Sequence, residues 1–185
     1  MQAFEFAEIY NRSDKLISLE GISLSDANSS SEIENITLHP NEYAIICDDG
    51  QTGYFQPLGI VASVSTLPFL NNSGDSIWLR LGETVIDAVF YADDGYGAYD
   101  KGSGGFAIER INTNNLCGLS DNWIAFSDST GGKPGRENSQ ADFTDPGLPK
   151  LVSGSFETLS SVRLSFDRCD RWCFLRASRR CSRLR

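Results

Sequence analysis

The stretch that decides the fold is "SIWLRLGETVIDAVFY", residues Ser76–Tyr91. Its first half alternates between two faces, with Ile77, Leu79 and Leu81 on one and Trp78 and Arg80 on the other. An alternation with a period of two is typical of a β-strand. A Gly-Glu pair at 82–83 separates this run from "TVIDAVFY". Two strand-like runs joined by two residues that include glycine predict a β-hairpin.

Similar short runs recur along most of the chain, separated by residues typical of turns. They are Phe4–Tyr10, Leu16–Leu24, Glu42–Gly50, Gly105–Ile111 and Asn122–Ser127. Gly21 interrupts the second run and indicates a bend or bulge there. No segment keeps the apolar period of a long helix, although a short helical turn is expected near "FQPLG" at 55–59. The spacing of strands and turns predicts an all-β sandwich or barrel.

The charge of the chain is unevenly distributed. The 185 residues carry a net charge of -9, yet residues 163–185 hold eight of the 16 basic residues and only two acids, Asp167 and Asp170. The body is therefore strongly acidic, and we expect it to repel the phosphate backbones of nucleic acids. No apolar run approaches the ~18 residues of a membrane-spanning helix. The first residues show neither the basic nor the apolar part of a signal peptide.

Composition divides the chain into three parts. Residues 1–140 form the predicted β-domain, and residues 141–150, which hold two prolines and a glycine, are expected to be a linker. Residues 151–185 begin like a second, truncated β-domain but end, from about residue 168, in an arginine- and cysteine-rich sequence without alternation. That end is interpreted either as a basic tail for nucleic acid or anionic surfaces, or as non-native sequence. We favour the second interpretation because the preceding strands start a domain that this sequence does not continue.

Six segments follow one another in an order that carries more information than any one of them. They are "FAEIYNRSDKLISLEGISLSD" (6–26), "LHPNEYAIICDD" (38–49), "LNNSGDSIWLRLGETVIDAVFY" (70–91), "GGFAIERI" (104–111), "CGLSDNWIAFS" (117–127) and "STGGKPGREN" (129–138). In this order they resemble the lamin tail domain in its bacterial form, over Phe4 to about Ser139. Ile22 stands where that family usually has a tryptophan, so we expect a repacked core. Relatives generally have an earlier strand, so we also expect a bare sheet edge.

The resemblance implies an immunoglobulin-like β-sandwich of the lamin tail type with a non-catalytic role. In bacteria such domains look like accessory modules of secreted or cell-surface proteins. The leading hypothesis is therefore a non-catalytic interaction module, located outside the cell, whose partner is a protein or a surface polymer. One alternative is an accessory domain of an extracellular nuclease or phosphoesterase whose catalytic domain lies outside this chain. The other is nucleic-acid binding through the arginine-rich tail.

The glycines and lysine of "STGGKPGREN" look at first like a phosphate-binding loop. Such a loop needs an earlier glycine, which here is Ser127, and a serine or threonine after the lysine, which here is Pro134. Proline offers neither a hydroxyl for magnesium nor an N–H for phosphate. We therefore predict no nucleotide, no cofactor and no enzymatic activity. His39, the only histidine, is expected to be a surface turn residue.

The glycine-rich stretch 91–105 holds the remaining candidate residues for binding. The calcium candidates are the carboxylates Asp93, Asp94 and Asp100. Clustered carboxylates bind calcium, but this spacing is not that of an EF-hand, and a solvated loop is the simpler interpretation. The candidates for a binding surface are Tyr91, Tyr96 and Tyr99. Tyrosines among glycines make adaptable contact surfaces.

Two tryptophans and two cysteines of the body have structural interpretations beside functional ones. Trp78 and Trp123 are expected to be core or half-buried strand residues rather than exposed stacking platforms. Cys47 and Cys117 form either a disulfide or two buried thiols, and pairing requires an oxidising compartment. The three cysteines of the tail have no histidine nearby and match a zinc site poorly.

Overall fold

The computed structural model describes residues 4–71, 73–92, 105–115, 122–127, 129–144, 151–158 and 161–166. Within these ranges the chain consists mostly of β-strands, which confirms the all-β prediction. The strands are β1 (Ala7–Tyr10), β2 (Ile17–Ser18), β3 (Ile22–Ser25), β4 (Ser30–Glu32), β5 (Thr37–Leu38), β6 (Tyr43–Asp48), β7 (Ile60–Val64), β8 (Gly74–Leu81), β9 (Thr84–Ala92), β10 (Ile108–Arg110), β11 (Trp123–Ala125), β12 (Leu151–Thr158) and β13 (Ser161–Phe166). A 3₁₀ turn at Asp49–Gln51 leads into the helix α1 (Thr52–Phe55).

The predicted hairpin is present as β8 and β9, which pair antiparallel from Gly74 opposite Ala92 to Leu81 opposite Thr84. The two-residue turn begins with Gly82, whose φ of 54° lies in the left-handed region that glycine adopts without strain. The register shifts between Leu79 and Arg80, which leaves one extra residue in β9. Such a bulge bends the strand locally.

Two larger sheets carry the fold. The first is antiparallel with the order β4-β3-β8-β9, and the second has the order β1-β6-β7. In the second sheet β1 is antiparallel to β6, but β7 runs parallel to it. A parallel pair needs a crossover connection, and here the connection contains α1. Among the described strands β1 lies at one edge of this sheet.

The main core combines buried side chains from both larger sheets. Its members are Leu19, Ile22, Leu24, Ile33, Leu38, Ala44, Ile46, Ala62, Val64, Leu67 and Ile77. Ile22, at the position where the resemblance expects a tryptophan, is 7% exposed and belongs to this cluster. Gly21 precedes it with φ 69°, which confirms the predicted bend between β2 and β3. Burial of apolar surface stabilises the fold by about 25 cal/mol per Å², so this shared core holds the two sheets together.

Strand β6 is buried on both faces, which explains its nearly continuous apolar sequence. Ala44 and Ile46 face the main core. Ile45 and Cys47 form a second cluster with Phe55 of α1, against which Phe4, Phe6 and Val61 pack. The predicted helical turn is therefore present, just before "FQPLG", and it covers the outer face of this sheet.

The smaller sheets are the pairs β2-β5, β10-β11 and β12-β13. The antiparallel pairing of β12 with β13 confirms the strand character predicted after the linker. The described side chains of β12, residues 151–155, are exposed. Residues 145–150 and 167–185 lie outside the described residues, so the domain boundaries and the basic tail remain predictions. No helix among the described residues is long and apolar enough to cross a membrane.

Candidate functional site

The outer face of the four-stranded sheet presents aromatic and arginine side chains side by side. On β8, Ile77 and Leu79 contact the core while Trp78 and Arg80 lie on the opposite face, half-buried, as the alternation predicts. Leu81, the third residue of the apolar set, is 52% exposed because the strand ends there at the hairpin turn. The sequence therefore predicts the two faces of the strand correctly up to its last residue.

Three side chains of this face contact one another. The rings of Trp78 and Phe90 meet edge to face with centroids 6.0 Å apart. The guanidinium carbon of Arg80 lies 5.5 Å from the centroid of the Trp78 ring, within cation–π range. The Nε of Arg80 also donates a hydrogen bond of 3.1 Å to Ser25 Oγ on the neighbouring strand β3. We call Trp78, Arg80 and Phe90 the aromatic–arginine face.

The aromatic–arginine face is held in place before any ligand arrives. Phe90 is 45% exposed, so part of its ring is available for contact. A side chain already fixed by neighbours loses little conformational entropy on binding. Trp, Phe and Arg are also the residue types enriched where proteins contact proteins. The arrangement is therefore suited to molecular contact.

A second group of interactions lies on the outer face of the β1-β6-β7 sheet. There two carboxylates hold residues 131–140, which we call the closing segment. Glu8 of β1 accepts a hydrogen bond of 2.5 Å from the backbone N–H of Gly135. Glu109 of β10 accepts two from Ser139, at 2.9 Å from its N–H and 2.6 Å from its hydroxyl. Both carboxylates are engaged by the chain itself, so their arrangement is a structural clamp.

The surroundings of the clamp raise the pKa of Glu8 and of the nearby Tyr43. Burial raises the pKa of Glu8 to about 7, with a smaller contribution from the charge of Glu109, and these outweigh the hydrogen bond from Gly135. The rings of Tyr10 and Tyr43 stack nearby with centroids 4.5 Å apart. Burial, with Tyr10 and nearby carboxylates as smaller causes, raises the pKa of Tyr43 to about 12. The sequence offers no signal for this cluster, because its carboxylates stand at alternating strand positions that normally face water.

Polar residues also organise β10 and β11. Asn122 is 5% exposed, and its Oδ1 accepts from the Asn112 N–H at 2.8 Å. Its Nδ2 donates to the carbonyls of Asn112 and Asn115. This side chain therefore replaces backbone pairing in a buried site.

One arginine connects β10 to the larger sheet. The guanidinium of Arg110 binds both carboxylate oxygens of Asp87 on β9, at 2.8 and 3.0 Å. It also lies over the Trp123 ring, 4.6 Å from the centroid. Trp123 and Trp78 are both half-buried, as the sequence predicts.

The predicted site residues are only partly within the described chain. Tyr91 is the last residue but one of β9, where it is half-buried and packed against the main core. His39 is exposed in the turn after β5, as predicted. The other candidates of the glycine-rich stretch lie outside the described residues: Asp93, Asp94, Tyr96, Tyr99 and Asp100. In the described ranges no three His, Cys, Asp or Glu side chains are grouped so as to hold a metal ion.

Cys47 has no disulfide partner among the described residues. It is buried in the second cluster, and burial raises the pKa of its thiol, with the charges of Asp48 and Asp49 as smaller causes. Its predicted partner Cys117 lies outside the described residues, so the disulfide remains a prediction.

The comparisons with known proteins add no relative: no family model, curated protein or solved structure matches the chain. The resemblance to the lamin tail domain therefore remains an interpretation of the ordered segments.

Proposed function

We propose that this chain is a non-catalytic interaction module that binds a protein partner through its aromatic–arginine face. We also propose that its sheets form an immunoglobulin-like β-sandwich of the lamin tail type, in a bacterial protein that is secreted or held at the cell surface. The two parts are independent, since the first rests on the geometry of one sheet face and the second on the ordered sequence segments.

The fold proposal is supported by the way the two larger sheets share one core. A sandwich buries the inner faces of two sheets against each other, and side chains from β3 and β8 of one sheet meet those of β6 and β7 of the other. The proposed sandwich differs in one respect from a sandwich built only of antiparallel hairpins, because β6 and β7 pair in parallel.

The observation that carries the binding proposal is the contact between Trp78, Phe90 and Arg80 on an outer sheet face. These side chains lie on two strands that pair over the whole hairpin, and Ser25 holds the arginine from a third strand. An aromatic pair that only completed a core would be covered, whereas Phe90 is 45% exposed. Contact with a partner would remove this apolar surface from water.

The charge of the chain decides which partner class we propose. Residues outside the arginine-rich end hold 23 of the 25 acidic residues, and such a body repels anionic polymers, including nucleic acids. A protein surface that is neutral or basic around an apolar centre fits both the charge and the aromatic–arginine face.

The test selects a random dodecapeptide library on the immobilised protein and measures the Kd of enriched peptides for purified variants. We expect peptides whose Kd rises at least about tenfold for Phe90→Ala and for Trp78→Ala, because aromatic anchors dominate such contacts. Phe143→Ala is the matched control, since Phe143 is 49% exposed and lies outside the face. Circular dichroism checks that each variant is folded.

Two results would overturn the proposal. One is a library that yields no specific binder, and the other is a set of binders that Phe90→Ala leaves unaffected. A duplex DNA of random sequence serves as a second probe, and salt-sensitive binding to it by a chain ending at Asp145 would favour nucleic acid as the partner class.

A further inference from the structure

The guanidinium of Arg80 has bonding capacity that the described residues do not use. Arg80 forms no ion pair with them, and its Nε is the only one of its nitrogens that makes a hydrogen bond there, to Ser25 Oγ. The buried polar atoms that lack a partner in the described chain belong to Gln51 and Arg110. The two terminal nitrogens of Arg80 are therefore accessible to water, and they present a pair of N–H donors at the end of the aromatic–arginine face.

The neighbours of the aromatic–arginine face across the sheet are uncharged and mostly small. They are Ser25 and Ala88 beside Trp78, Ser23 and Val85 beside Arg80, and Ser76 beside Phe90. The row of the sheet that contains Arg80 ends in Glu32, which lies opposite Ser23 on β4. Glu32 is therefore two strand spacings, about 10 Å, from Arg80. Trp78, Phe90 and Arg80 are thus the largest side chains of this part of the face, and they are its contact points.

The three contact points follow one another at nearly equal steps. The rings of Phe90 and Trp78 are 6.0 Å apart, and the guanidinium carbon of Arg80 is 5.5 Å from the Trp78 ring centroid. In an extended peptide the side chains of one face recur every two residues, at about 6.6–6.8 Å. Short helices are only marginally stable in water, so a short free segment is more readily extended. Such a segment can place its side chains i, i+2 and i+4 over Phe90, Trp78 and Arg80 in turn.

We propose that the ligand of this face is an extended peptide segment with the pattern apolar-x-apolar-x-acidic, whose carboxylate binds the terminal nitrogens of Arg80. This inference rests on the proposed function and names the ligand of the same site. The two apolar side chains cover Phe90 and Trp78. The planar guanidinium donates two parallel hydrogen bonds to the carboxylate, a geometry that lysine does not offer. Arg80 is therefore the residue that determines specificity, while the rings provide apolar contact area.

The remaining positions of the segment are neutral or basic. Residues 1–162 hold 23 of the 25 acidic residues, so the body of the protein attracts a basic segment and repels an acidic one. In an extended peptide the x positions point away from the sheet, where lysine or arginine is exposed to this field. Complementary charge of this kind mainly raises the rate of association. The single acid of the pattern is placed locally, against Arg80.

Dodecapeptides enriched from the random library on the immobilised protein test this inference. We expect them to share the pattern, and each is compared with a synthetic counterpart in which the acid of the pattern is replaced by its amide. The native protein should bind the acid form at least about tenfold more tightly, because hydrogen bonds to charged groups are the stronger ones. Arg80→Met should bind both forms equally, and Arg80→Lys should keep only part of the difference. Arg136→Met is the matched control, since Arg136 is exposed in the closing segment, and it should keep the full difference.

The outcomes separate this inference from the proposed function. A library without binders, or binders that Phe90→Ala leaves unaffected, overturns both. Binders that depend on Phe90 and Trp78 but bind equally well in their amide form overturn the carboxylate pattern alone. The pattern is also wrong if Arg80→Met keeps the difference between the two forms. Should Arg80→Met fail to fold, Arg80→Lys decides, and a full difference in that variant overturns the role of the guanidinium.

Discussion

The region of the two larger sheets and the region that follows it are assembled by different forces. Residues 4–92 bury a continuous set of aliphatic side chains shared by both sheets. Residues 105–144 bury Ala125 and Phe126 together with the polar side chains of Glu109, Asn112 and Asn122. The first region is stabilised by the burial of apolar surface. The second region is stabilised by hydrogen bonds of buried polar groups, which require one particular geometry.

Because of this difference, we expect mutations to destabilise the two regions in different ways. An apolar core tolerates small changes of shape by repacking, and its loss is spread over the whole fold. A buried polar partner that is removed leaves a donor or acceptor unpaired, and the cost is local. Mutations in the first region should therefore lower global stability, and mutations in the second should loosen residues 105–144 first.

The largest effect is expected from Ile46→Ala in β6. Ile46 is completely buried in the main core, and removing three carbon atoms there should lower the free energy of unfolding by about 2–5 kcal/mol. Ile60→Ala is the control, since Ile60 is 37% exposed on β7, and it should cost clearly less. Denaturant unfolding followed by circular dichroism measures both. Equal costs for the two variants would contradict a core centred between the sheets.

The next largest effect is expected from Asn122→Ala, which tests the polar region directly. This change leaves the Asn112 N–H and the carbonyls of Asn112 and Asn115 without their side-chain partner. We expect a loss of about 2–3 kcal/mol and faster hydrogen exchange in residues 105–115 and 122–127. Asn114→Ala, at an exposed neighbour, should change little. If Asn122→Ala lowers protection equally in β6, the two regions unfold as one unit.

Sequence alone predicts much of the first region, because its side chains follow regular patterns. The alternation of Ile77 and Leu79 with Trp78 gives the strand and its core face, and the glycine turn gives the hairpin. The bend at Gly21 is likewise predicted. The parallel pairing of β6 with β7 is not predicted, because Ile60–Val64 does not stand out in the sequence as one of the strand-like runs.

The sites are predicted less well, for physical reasons that particular residues make clear. Trp78 can be assigned to a half-buried strand face, but its contact with Phe90 depends on the register of β9 and its bulge. Glu8 and Glu109 alternate with apolar neighbours like any solvent-facing residue. The closing segment, which is 127 residues away from Glu8 in the sequence, supplies the hydrogen-bond donors for both carboxylates.

A smaller effect, of about 1–3 kcal/mol, is expected from Gly135→Ala. The added methyl group meets the Leu58 carbonyl at 2.6 Å, and the left-handed backbone strains any residue but glycine. The closing segment should shift, with lower protection in residues 131–140 and an almost unchanged β8-β9 hairpin. Gly53→Ala is the control, since Gly53 lies in α1 with nothing within 4 Å of the added Cβ. Alanine favours a helix, so this variant should be neutral or slightly more stable.

The smallest effect is expected for the ion pair that joins the two regions. Arg110 binds Asp87 through both oxygens, but the Asp87 side chain is 42% exposed, so water screens the pair. A double-mutant cycle with Arg110→Met and Asp87→Asn should give a coupling energy of about 0.5–1 kcal/mol. Arg110→Met alone should cost more than the coupling, because it also removes the contact with the Trp123 ring. A coupling well above 2 kcal/mol would mean that charge, more than the hydrogen-bonded clamp, joins residues 105–144 to the larger sheets.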